Sequence, residues 1–221
     1  MMDNENAPQH DDLQKKQALE EHEVKEVVGF LKRYGKLIGT GILAATVTVI
    51  ASKGCASYKA SRLVKAEQAL MSARTPQQLE EVVNQYGSTP SAPVALLNLA
   101  KTYFNIGETA QARVQYERFI KKYKKHDLRP VAELGLAYCT EADGDFNGAA
   151  AQFADFSGKH SGSYLHPMAV LSISRCMEQA GRIDEARIVL EDFLAENAGT
   201  AWAGPAEGAL KQLNETAQQK K

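Results

Sequence analysis

Apolar residues follow three different rhythms along this chain. Val24, Val27, Val28 and Leu31 recur at i, i+3, i+4 and i+7, which predicts a short amphipathic segment over residues 20–36. The residues before it, 1–19, are almost wholly polar and read as a disordered tail. From Leu37 to Ser52 the periodicity disappears, and no charge occurs over 16 residues. At about 1.5 Å per residue that run covers roughly 24 Å. Extension through Gly54–Tyr58 carries it toward the ~30 Å hydrocarbon core once the Lys53 ammonium reaches back to the interface. Lys32, Arg33, Tyr34 and Lys36 stand where headgroup anchors belong, so residues 37–58 are predicted to form one transmembrane helix. A buried core helix fits poorly, because the run has no polar face and is basic at both ends. A cleaved leader would need an Ala-x-Ala site after the run, and none is there. Ser52-Lys53-Gly54-Cys55 lacks the aliphatic residue of a lipidation box, and the Gly35/Gly39 pair is too common in such spans to mark a pairing face.

Beyond Pro93 the apolar pattern repeats with a step of 37 residues. The step links Gly107, Gly144 and Gly181; Pro93, Pro130 and Pro167; Ala95, Ala132 and Ala169; and Leu99, Leu136 and Ile173. It also links Ala112, Ala149 and Ala186; Tyr116, Phe153 and Leu190; and Phe119, Phe156 and Phe193. Self-similarity of this length marks an array of supersecondary units. In each unit Pro begins a helix, where its missing N–H costs nothing, and Gly ends it by adopting the left-handed conformation. A second helix starts at once. Small residues on the first helix (Ala100, Ala137, Ser174) oppose Ala112, Ala149 and Ala186 on the second, so the axes approach closely while Tyr116 or Phe153 fills the adjoining space. Upstream, an incomplete unit at about Ser57–Tyr86 has Gln77–Tyr86 as its second helix, and its first helix continues from the span. Downstream, Gly204–Leu213 supplies one closing helix, Trp202 packs on that cap, and residues 214–221 are a polar tail. Residues 59–213 therefore read as an all-α right-handed superhelix of about nine helices. The predicted core is Leu99, Ala112, Tyr116, Leu136, Ala149, Phe153, Ile173, Ala186 and Leu190.

Composition narrows function without naming it. The net charge of −1 leaves no basic footprint for nucleic acid. His10, His22, His126, His160 and His166 lack ligand spacing, and no Gly-rich phosphate loop or Gly-x-Ser-x-Gly elbow occurs, so no catalytic residue, metal, cofactor or small-molecule substrate is expected. Cys55, Cys139 and Cys176 are not a disulfide framework; the latter two share one repeat position on neighbouring helices and read as small core residues. Lys121-Lys122-Tyr123-Lys124-Lys125 reads as a solvated helix end, its cations complementing the helix dipole.

The order small residue, aromatic, turn Gly, Ala and two aromatics resembles the tetratricopeptide repeat, most closely at Gly107–Ala112 and Gly181–Ala186. The second unit departs from it, because Tyr138 stands two residues too far from Gly144, and the step exceeds the usual repeat length, which implies longer connections. The whole arrangement over about residues 20–213, with its Leu31-Lys-Arg-Tyr-Gly-Lys36 stretch, is similar to the YfgM-like family of ancillary SecYEG translocon subunits. That resemblance implies a bacterial inner-membrane protein with a periplasmic carboxy-terminal domain, partnered by the Sec translocon or a periplasmic chaperone. Outer-membrane-assembly and Tol–Pal-associated repeat proteins are the nearest alternative, through links such as Tyr86–Pro93 and Tyr123–Pro130. In this repeat class the first helices line the concave side, which implies a protein-binding face of Lys101, Phe104, Asn105, Tyr138, Glu141, Arg175, Glu178 and Gln179. The convex face or the loops are an equal alternative for so short an array. Charge does not orient the span: Lys25, Lys32, Arg33 and Lys36 precede it, and Lys53, Lys59, Arg62 and Lys65 follow it.

Overall fold

The computed structural model describes residues 8–219, with backbone only for residues 8–24, 27, 38 and 219. Every regular element among the described residues is a helix, and the chain divides into two compact units, Met1–Ser61 and Arg62–Lys221.

The first unit consists of most of helix α1 (Pro8–Ser72). Residues 1–7 of the expected disordered tail lie outside the described residues, but residues 8–19 are helical where disorder is expected. The Leu13-Gln-Lys-Lys-Gln-Ala-Leu19 run consists of strong helix formers, and elongating an existing helix avoids the cost of nucleation. Within α1, Gly39–Ser72 is the one stretch of the described residues long and apolar enough to cross a membrane, extending well beyond the 37–58 span read from sequence. Residues 39–61 are exposed throughout, including Ile42, Leu43, Val47, Val49 and Ile50. The hydroxyls of Thr46, Thr48 and Ser52 donate to carbonyl oxygens of Ile42, Ala44 and Val49, so these polar groups are satisfied inside the helix, as a lipid environment demands.

The second unit contains the end of α1 followed by α2 (Pro76–Gln85), α3 (Ser91–Asn105), α4 (Thr109–Lys122), α5 (Arg129–Ala142), α6 (Phe146–Lys159), α7 (His166–Gln179), α8 (Ile183–Asn197) and α9 (Ala203–Gln219). Shifting α5 and α6 by 37 residues reproduces α7, and α8 to within one residue, so the repeat is conformational as well as sequential. That settles the register of α5: it follows the standard repeat despite Tyr138. Thr140 occupies the place held by Tyr103 one repeat earlier, and Tyr138 fills the neighbouring space with its ring 5.0 Å from Phe153.

The turn glycines behave as their positions require. Gly107, Gly144 and Gly181 have φ of 83°, 82° and 80°. At Gly107 the Glu108 amide donates to Tyr103 and the Gly107 amide to Phe104, closing the helix in the double-bonded Schellman manner; Gly181 and Arg182 repeat it on Glu178 and Met177. The connections between hairpins are also alike. Backbone bonds Thr89 to Tyr86, His126 to Tyr123, Ser163 to His160 and Thr200 to Asn197 each form one turn. Bonds from Ala92, Arg129, His166 and Ala203 then form a second. Two turns in succession account for the long repeat step, and for the Tyr86–Pro93 and Tyr123–Pro130 spacings without any appeal to a particular family. At the amino end, Thr75 caps α2 in a reciprocal capping box with Gln78.

Three apolar clusters run through the stack, centred on Leu96 and Phe119, on Phe153 and Phe156, and on Leu190 and Leu213. Of the predicted core, Leu99, Ala112, Tyr116, Ala149, Phe153, Ile173, Ala186 and Leu190 are buried. Leu136 is the exception and is half-buried, because a shallow cleft lined by Glu133, Gln152 and Phe156 opens beside it. Its neighbour Leu134 is buried instead. Helix α9 does close the stack: Ala206 and Leu213 are buried in the rows of Ala169 and Cys176, and Trp202 packs on the last cluster. The polar tail expected from residue 214 is helical as far as Gln219, because Thr216, one turn past Gln212, still reaches Glu178 of α7.

Candidate functional site

Two pairs of first helices from successive hairpins approach one another, α3 with α5 and α7 with α9, while α5 and α7 are joined through side chains. Among the described residues no two second helices come as close. A stack whose first helices crowd together curves toward them, so α3, α5, α7 and α9 line its inner side. This is the face on which the sequence places Lys101, Phe104, Asn105, Tyr138, Glu141, Arg175, Glu178 and Gln179.

The 37-residue step arranges that face in rows. Lys101, Tyr138, Arg175 and Gln212 form one row; Phe104, Glu141, Glu178 and Glu215 the next; Asn105, Ala142, Gln179 and Thr216 the third. The structure joins some of these residues and leaves others apart. Arg175 donates from Nε to Glu141 Oε1 at 2.6 Å and from Nη2 to Glu141 Oε2 at 2.8 Å, the two-pronged geometry that suits guanidinium and carboxylate. Arg175 Nη2 also donates to Ser172 Oγ at 3.2 Å, and Ser172 in turn donates to the Tyr138 hydroxyl at 3.2 Å. Tyr138, Ser172, Arg175 and Glu141 are thus one network tying α5 to α7. The hydrogen bond to Glu141 raises the pKa of Arg175 against the opposing effect of burial. Glu141 is well shielded while Arg175 remains about half exposed, at 16% and 47%. Glu178 is half-buried and meets Thr216 Oγ1 at 3.5 Å. Lys101, Asn105 and Gln179 are exposed. Phe104 differs from the expected groove aromatic: it is half-buried because it packs on the first apolar cluster, leaving only part of its ring for a partner.

Sequence reasoning missed Ser172, which is 1% exposed yet joins Tyr138 to Arg175. Its signal was present, since Ser172 shares a row with Asn98 and Gly135 directly beside the row of Tyr138. The inter-hairpin brace of Arg113 was missed as well; it donates to Asp143 Oδ2 at 2.7 Å.

In the repeats, Cys139 and Cys176 are buried in the core, and His126, His160 and His166 make local contacts. All three cysteines are free thiols; burial pushes Cys139 up to about 11 and Cys176 up to about 12, so both stay protonated at neutral pH. His126 Nδ1 accepts from the Leu128 amide, His160 Nε2 meets Glu133 Oε2 at 3.0 Å, and His166 Nδ1 meets Ser157 Oγ at 3.0 Å, all at or beside the connections between hairpins.

Comparison with known proteins supports the same architecture. A family model described as a tetratricopeptide repeat-like domain matches residues 29–155, more than half of the chain. Two solved forms of a Podosopora anserina protein, described as kinesin light chain nearly identical TPR-like repeats, are similar at TM-scores of 0.56 and 0.55. Both are 19% identical and cover 74% of this chain and 88% of theirs. A tetratricopeptide repeat protein from Parabacteroides merdae is similar at a TM-score of 0.52 and 15% identity, over 71% of this chain and 60% of its own. At such identities the likeness speaks to fold alone. No curated protein matches significantly by sequence.

Proposed function

This chain belongs to the tetratricopeptide repeat-like domain family, and we propose that within it the chain is a membrane-anchored scaffold that binds a segment of another protein along the inner face of its repeats. Repeat proteins of this kind are in general non-catalytic and bind other proteins. The observation that carries the reading is the inner face itself. A two-pronged Arg175–Glu141 pair and a braced Tyr138 hold α5 and α7 in fixed register, while Lys101, Asn105 and Gln179 stay open to solvent. A surface preorganised in this way binds without first paying to order itself. The exposed apolar stretch of α1 supplies the anchor.

The finer assignment is an inner-membrane protein whose repeats face the periplasm and which assists protein export beside the translocon or a periplasmic chaperone. The resemblance of the Leu31–Lys36 stretch and the single span to translocon-associated proteins supports it. The test is co-purification of the full chain from detergent-solubilised membranes after in-cell crosslinking, comparing wild type with the Lys101→Glu/Asn105→Arg variant. Both side chains are exposed, so folding should be unaffected by circular dichroism. The same partner bands lost from the variant support the inner face; bands retained at wild-type yield refute it.

A further inference from the structure

Electrostatics along the inner face go further and describe the partner; the inference rests on the scaffold reading above. We infer that the bound segment is charged in blocks: acidic where it meets α3, apolar across the middle, and basic where it meets α7 and α9.

The face is polarised because its central cation is already engaged. Lys101, on α3, is exposed and has no carboxylate partner among the described residues. Arg175 would extend that positive end to α7, but Glu141 takes both prongs of its guanidinium. In the row below, Glu178 meets only the Thr216 hydroxyl, and Glu215 is exposed on α9. Lys211 is the cation nearest Glu215 along α9. It stands one turn before Glu215 on the same helix and offsets part of that charge, so Glu178 carries most of the negative end. The inner face is therefore positive at α3, neutral at the Arg175–Glu141 pair and negative from Glu178 to Glu215. Phe104 sets a half-buried ring beside Lys101 on α3, and between the ends, on α5, lies the half-buried ring of Tyr138. Desolvating either end against a segment of matching sign would cost binding free energy, while the opposite order gains it; this favours one orientation.

Length fixes the segment further. Packed helices stand on the order of 10 Å apart, so three steps from α3 to α9 cover roughly 30 Å. An extended chain rising ~3.3 Å per residue crosses that distance in about nine residues.

The experiment uses the full chain in nanodiscs and fluorescent twelve-residue peptides of identical composition. One peptide has an aspartate block, a central leucine and tyrosine block, and a lysine block; the other alternates the charges. Anisotropy titrations at low salt should show the block peptide binding about three- to tenfold tighter, the scale expected of two exposed ion pairs, with the advantage lost in high salt. A benzophenone at the lysine end should crosslink to α7 or α9, and one at the aspartate end to α3. Glu178→Lys/Glu215→Lys should weaken the block peptide by a similar factor with an unchanged circular dichroism spectrum. Equal binding of the two peptides, crosslinks in the reverse order, or an indifferent double variant would overturn the inference. If neither peptide binds while co-purification still depends on Lys101 and Asn105, the charge order fails and the scaffold reading stands. If both fail, both are wrong.

Discussion

Replacing Gly135 by Ala should destabilise the repeats, although the same change in most helix interiors does the reverse. Gly135 lies in the middle of α5, and a Cβ built on it falls 2.4 Å from Cζ and 2.5 Å from Cε1 of Tyr116. Ordinary contact begins near 3.4 Å, so the ring must retreat by roughly 1 Å. It has little room, because Tyr116 is 6% exposed and sits in the first apolar cluster with Phe119 and Cys139. Overpacking of this kind costs about 1–3 kcal/mol, against about 1 kcal/mol gained from removing a mid-helix glycine. The net loss is about 1 kcal/mol and at most about 2, which for a unit of this size lowers Tm by roughly 2–8 °C. Two controls isolate the cause. Gly208→Ala in α9, where nothing lies within 4 Å, should raise Tm instead. Adding Tyr116→Leu to Gly135→Ala should recover part of the loss, since Leu190 and Ala209 occupy the same pair of positions in the last hairpin. Thermal melts of the full chain in detergent, followed by circular dichroism, supply the measurement. A Gly135→Ala variant that melts higher than wild type would show that the ring contact does not constrain the hairpin.

Other outcomes follow from the same structure. Ala149→Leu, at a fully buried contact between α5 and α6, should cost about 1–3 kcal/mol by chemical denaturation, and an unchanged midpoint would count against the hairpin packing. Thr75→Ala removes the side-chain half of the α2 cap and should cost about 1 kcal/mol, with Thr75→Ser close to wild type. Burial raises Cys139 to about 11, and Cys176 and Tyr116 to about 12, so the native state keeps protons that the unfolded chain gives up first. Stability from these groups is complete below pH 9 and is lost as pH rises toward 11–12; Tm rising across that window would contradict it. Alkaline phosphatase, active only after export, should be active when fused to Lys221; an inactive fusion expressed at normal levels would place the repeats in the cytoplasm.

The amino-acid sequence alone determined everything that depends on periodicity. A step of 37 residues carried the hairpin turns at Gly107, Gly144 and Gly181, the buried alanines and the closing helix. Each of those follows from which face a residue takes, and helical spacing settles that locally. The tertiary structure decided what depends on neighbours from other helices. Tyr138 looked like a break in register but is a ring filling space left by Thr140, and only the position of Phe153 reveals it. Leu136 shares a row with buried Leu99 and Ile173, yet it is half-buried because the adjoining cleft remains open. Arg175 and Glu141 read as two separate charges on a groove. Stacking the hairpins brings them within hydrogen-bonding distance and turns them into one neutral pair. A one-dimensional pattern records the row of a residue, whereas pairing across rows depends on distances of a few ångströms that arise only once the hairpins are stacked.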